Sequence, residues 1–140
     1  MIQKAENKWI ADMHFNIAQT GGNVDIDADK EVGGQGKGLL PKPMMLSALA
    51  GCTSMDVVSM LKKMRAEVKG FEVHVTGELT EEHPKIYHKV LVEYLFYGTD
   101  FQKDKIEKAV DLSVTRYCGV MEMFRKFSEL TIEIKYIEQI

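Results

Sequence analysis

Only two cysteines, Cys52 and Cys118, occur in the 140 residues, and they stand 66 positions apart. That is too few for a secreted scaffold stapled by disulfides. The first eight residues, Met1 to Lys8, carry no apolar core, so no secretory signal is expected. His14, His74, His83 and His88 are scattered, and neither an HxxxH nor a CxxC spacing occurs, so a metal site is not supported. Gly33, Gly34, Gly36 and Gly38 form a loop without P-loop spacing, which argues against a phosphate cradle. The net charge is −3, with no basic patch to suggest a nucleic-acid or anionic-membrane partner. No repeat, linker or low-complexity tract interrupts the chain. A cytoplasmic protein with both thiols reduced is therefore expected.

What is present is an ordinary globular balance, 45% hydrophobic and 28% charged. A chain of this length fits one domain, residues 1–140, and folding buries roughly 68% of the extended-chain surface. Trp9 to Ile17 alternate apolar and polar, which predicts a half-buried strand. Thr20-Gly21-Gly22-Asn23 reads as a turn, and residues 24–28 as the second strand of a hairpin. A helix is expected from Pro43 to about Ala66. Its first turns are apolar nearly all round, so burial on most sides is expected, with a partner subunit supplying cover that one small sheet cannot. The 18-residue run Met44 to Leu61 contains Asp56 and several hydroxyl residues. It falls short of the roughly 20 apolar residues of a membrane span, and a buried core helix is the better reading. Residues 71–79 and 86–97 read as paired strands, 101–116 as a helix with a break near Tyr117 to Gly119, then a short helix and a final strand from Leu130. The order β-β-α-β-β-α-α-β predicts an α+β protein with antiparallel sheets.

Chemistry can reside in few places. Cys52 follows the small pair Ala50-Gly51, and Asp56 lies one helical turn on, on the same face. Free cysteine is often only a small buried hydrophobe, whereas a reactive thiol needs a cation, a helix N-terminus or a polar contact. Lys42 is the nearest cation in sequence. Cys118 sits at a helix break beside Tyr117, two residues after Arg116, a setting that predicts an exposed rim, where it is either an unpaired surface-proximal thiol or a resolving cysteine for an oxidised Cys52. Met44, Met45, Met55, Met60 and Met64 lie on the Cys52 helix, as adaptable core or as the lining of an apolar pocket.

The segment Ala48-Leu49-Ala50-Gly51-Cys52-Thr53-Ser54-Met55-Asp56-Val57-Val58, the element order, and Tyr117-Cys118 after Ser113 together resemble the OsmC/Ohr family of thiol-dependent peroxidases. The resemblance covers nearly the whole chain and is nearest to the OsmC-like (YhfA-type) branch. It implies an OsmC-like fold, an intertwined homodimer with central helices packed together, organic hydroperoxide substrates and no cofactor. It also implies a peroxidatic Cys52, a resolving Cys118 and an external dithiol reductant. The sequence departs from the family pattern at two points. Lys42 stands where active members carry a glutamate, ten residues before the cysteine, and no arginine precedes Arg65. Lysine supplies charge without the planar fork of arginine. Lys42, Asp56 and Arg116 are therefore the candidate activating or lining residues around Cys52 and Cys118. A thiol peroxidase is the leading expectation. A non-catalytic protein binding an apolar small molecule and a thiol redox sensor are the alternatives.

Overall fold

A computed structural model describes residues 1–139. They form two compact units, Met1–Met45 and a second beginning at Leu46. The first unit is a three-stranded antiparallel sheet in the order β1 (Glu6–Ala11), β2 (His14–Gln19), β3 (Gly22–Ile26). Where the alternation from Trp9 to Ile17 predicts one strand, the structure has two. Asp12 takes a left-handed φ of 49° and reverses the chain, and the Trp9 indole N–H donates to the Asp12 carbonyl at 2.8 Å. The apolar alternation runs straight through this turn, so periodicity alone does not reveal it.

The glycine loop after β3 is organised from within. Asp27 is buried, and its carboxylate accepts three backbone amides: Ala28 at 2.8 Å, Gln35 at 3.0 Å and Lys37 at 3.0 Å. The amides that could cradle a phosphate are thus spent on an internal anion. A Cβ on Gly34 would fall on the Ala28 carbonyl, and one on Gly38 on the Asp25 carbonyl, so both positions need glycine for close approach. Leu39 returns alongside Ile26 through a parallel bridge.

The second unit carries most of α1 (Met44–Lys63) and a sheet in the order β4 (Gly70–Leu79), β5 (Tyr87–Gly98), β6 (Glu129–Glu138). The β4–β5 pair is an antiparallel hairpin, but β6 runs parallel to β5, contrary to an all-antiparallel expectation. The two helices α2 (Lys103–Leu112) and α3 (Gly119–Arg125), joined by a π-helical turn at Ser113–Tyr117, form the crossover that makes this possible. Inward residues of β5, namely Val90, Val92, Tyr94 and Phe96, are buried with Ile106, Ala109 and Val110 of α2 and Met121 and Phe124 of α3. Each large apolar side chain buried in this way contributes about 1.5–3 kcal/mol. The Phe71 and Phe96 rings stack at 4.8 Å. Gly77 is required because a Cβ there would lie 2.6 Å from the Tyr87 ring and 3.0 Å from the Leu46 side chain.

Helix α1 is also long and apolar enough, by length and composition, to cross a membrane. It buries a single stripe at four-residue spacing, Leu49, Thr53, Val57 and Leu61, rather than most of its surface. Gly51, Met55 and Val58 are exposed, Met55 at 75%. Within the single chain, one three-stranded sheet covers about one face of the helix.

Hydrogen bonds to Asp27 hold its carboxyl below the ordinary carboxylate range, the Lys37 amide contributing most. A depressed folded-state pKa stabilises above the unfolded value, about pH 4, and that stabilisation is lost as pH falls through the folded value. Asp27→Asn should therefore lower the melting temperature at pH 7, and the difference from wild type should shrink as pH is lowered toward 2. Thermal melts followed by circular dichroism across that range measure this, and parallel curves at all pH would refute the role of Asp27.

Candidate functional site

Cys52 lies in the middle of α1 and is half-buried; Cys118 follows the π turn, caps α3 and is 4% exposed, contrary to the expected exposed rim, because the turn directs it into the core cluster with Met121 and Phe124. Both are free thiols. The extra residue of the π turn ends the preceding helix, and Cys118 takes an extended conformation, φ −77° and ψ 101°, before Gly119 starts α3. Its amide donates to the Ser113 carbonyl at 2.9 Å, and its Sγ accepts the Met121 amide at 3.3 Å. Cys52 packs against the core cluster that contains Cys118. Burial pushes the Cys118 thiol up to about 12; the hydrogen bond to Cys52 and the charges of Cys52 and Asp56 push the same way, while the Met121 amide opposes them. Cys118 is therefore a neutral thiol at pH 7.

A chain of hydroxyls runs beneath the two sulfurs. Thr53 Oγ1 lies 2.7 Å from the Tyr94 hydroxyl and 2.7 Å from Ser113 Oγ, and Ser113 donates to Asp56 Oδ2 at 2.9 Å. A hydroxyl has one proton to give. Since Ser113 gives its proton to Asp56, it accepts from Thr53, and Thr53 in turn accepts from Tyr94. The protons thus point one way, from a fully buried tyrosine to a partly buried carboxylate. Burial pushes the Tyr94 phenol up to about 12, partly countered by its bond to Thr53.

Of the residues singled out in the sequence, Cys52, Cys118 and Asp56 come together here. Arg116 is exposed, its guanidinium 5.4 Å from the centre of the neighbouring Tyr117 ring. Lys42 is exposed in the turn before α1, where its carbonyl accepts the Met45 amide at 3.0 Å. His14, His74 and His88 each pair with a carboxylate, Asp25, Glu72 and Glu78 respectively. Among the described residues no group of His, Cys, Asp and Glu is placed to hold a metal ion. Thr53, Tyr94 and Ser113 are the site residues that sequence reasoning overlooked. The signal was available: each is polar at an inward position of an otherwise apolar stripe, and such a residue demands a partner.

A thiol on a helix laid over a mixed sheet, a second thiol at the helix crossover and a hydroxyl chain between the same elements define a dithiol protein of the α+β class. A family model described as OsmC-like protein matches residues 34–133, and the chain belongs to that family. It is 33% identical to Protein YhfA of Escherichia coli (strain K12) over 128 residues, which cover 91% of this chain and 93% of that protein. The fold is similar to the crystal structure of a hypothetical protein from Aquifex aeolicus VF5, with a TM-score of 0.87, 27% identity and coverage of 100% and 99% of the two chains. It is also similar to an organic hydroperoxide resistance protein OsmC from Legionella pneumophila, with a TM-score of 0.70, 14% identity and coverage of 96% and 97%.

The hydroxyl chain has an energetic consequence. Thr53→Val preserves shape but leaves the buried Tyr94 hydroxyl without its acceptor, a cost of about 1–3 kcal/mol. Urea unfolding should show that loss as a lower midpoint with an unchanged slope. Unaltered stability would mean that the chain contributes nothing to packing α1 on β5.

Proposed function

We propose that this chain is a thiol peroxidase for organic hydroperoxides, working in the cytoplasm as a homodimer. The observation that carries the reading is the half-buried Cys52 thiol beside a buried second thiol, Cys118, with both cysteines reduced. Membership of the OsmC-like family and the name of the Legionella neighbour support it. In this reading the Cys52 thiolate attacks the distal peroxide oxygen. The O–O bond breaks, the alcohol leaves with a proton, and Cys52 becomes a sulfenic acid. Cys118 then closes a disulfide, which an external dithiol reduces.

A second copy of the chain is the partner in this reading. The first unit buries only Ile26 and Asp27 and leaves Trp9 63% and Ile10 49% exposed, too little core for an isolated three-stranded sheet. The open α1 face of Gly51, Met55 and Val58 presents a second apolar surface in need of cover. Sedimentation at micromolar concentration should give twice the chain mass of 15.9 kDa. A well-folded monomer would refute the dimer.

The alternative of a non-catalytic binder for an apolar small molecule draws on Met55, together with Met60 and Met64, which pack only partly into the core. One assay separates the two readings. Wild-type protein should consume cumene hydroperoxide with dithiothreitol as reductant, and Cys52→Ser should lose that activity by at least a hundredfold. Equal rates in the two proteins would remove the peroxidase reading and favour the binder.

A further inference from the structure

We propose that Asp56 takes the proton of Cys118 as the disulfide closes, its carboxylate held for that step by the Ser113 hydroxyl. The proposal rests on the peroxidase reading above and deepens it by assigning the proton of the second step. Ser113 ties the two groups together, since its carbonyl accepts the Cys118 amide at 2.9 Å while its hydroxyl donates to Asp56 Oδ2 at 2.9 Å. Asp56 stands one helical turn beyond Cys52, so the two residues are neighbours on the same face of α1. No ion pair among the described residues engages it. Ser113 gives its one proton to Asp56, so within the hydroxyl chain it accepts from Thr53, which accepts from Tyr94.

The chemistry needs such a group. A thiol held near a pKa of 12 is ionised to only about one part in 10⁵ at pH 7. Closing the disulfide forms the S–S bond, breaks the S–O bond of the Cys52 sulfenic acid, oxidises the Cys118 sulfur and reduces the Cys52 sulfur. The Cys118 proton leaves with the departing hydroxyl as water. Asp56 accepts that proton as the S–S bond forms and passes it to the departing oxygen, general acid–base work of a kind that contributes about 10²–10⁴-fold. The oxidising equivalent comes from the organic hydroperoxide in the preceding step. The titratable groups acting on Cys118 are Cys52 and Asp56, both from α1; Tyr94 of β5 is the further titratable group in the cluster, and α3 contributes only the Met121 amide.

Wild type, Asp56→Asn, Asp56→Glu and Ser113→Ala, each given one equivalent of cumene hydroperoxide, would be sampled by dimedone trapping and mass spectrometry. Asp56→Asn should slow disulfide closure at least tenfold at pH 7, accumulate the dimedone adduct on Cys52, and recover its closure rate as pH rises. Asp56→Glu should restore part of the rate. Ser113→Ala keeps the carboxylate but frees it, should slow closure to a smaller degree, and carries the test if Asp56→Asn does not fold. Closure at the wild-type rate and with the wild-type pH profile in Asp56→Asn, or in Ser113→Ala if that variant alone folds, would overturn the role of Asp56 while leaving the peroxidase reading intact. Failure of wild-type Cys52 to oxidise at all would overturn both.

Discussion

Thr53 sits on the buried stripe of α1, between Leu49 and Val57, where no water reaches it. A hydroxyl in that position must find its partners inside the protein or cost about 1–3 kcal/mol. It finds two, Tyr94 on β5 and Ser113 at the start of the π turn, and so joins three elements far apart in sequence. Among the described residues no buried side-chain N or O atom lacks a hydrogen-bond partner. The requirement ties α1 both to β5 and to the helix crossover that carries Cys118.

The electrostatics of the site follow from that placement. Ser113 passes the chain on to Asp56, bringing a carboxylate to within effective range of both Cys118 and Tyr94. Low surrounding polarity and a nearby negative charge both favour the neutral form of a thiol or phenol. Cys118 is thereby kept protonated, while Cys52, on the more open side of α1, is the sulfur that an incoming molecule meets first. An asymmetric pair of thiols results.

The same demand for internal satisfaction shapes the first unit, with a different outcome. There a carboxylate, Asp27, collects the amides of a glycine loop and turns it into a defined structure. The sheet beside it gains little from apolar burial: Trp9, Ile10 and Met13 remain exposed. Hydrogen bonds hold this unit's shape, whereas the second unit rests on a packed core.

Much of the chain was legible in the residues themselves. The alternation in β4, β5 and β6, the glycine and proline punctuation around α1, the helix break at Tyr117, and the two cysteines as the centre of interest all follow from periodicity and composition, which are local properties. The division of Trp9 to Ile17 into two strands was not legible, because a left-handed Asp12 leaves the apolar alternation undisturbed. Nor was the parallel placement of β6, which depends on where the crossover returns. The contact between Cys52 and Cys118, and the chain from Tyr94 to Asp56, join residues 40 to 66 positions apart. Sequence pattern marks the hydroxyls of that chain as polar groups needing partners; only the folded chain, by bringing their atoms within 2.7 to 2.9 Å, decides which partners they get.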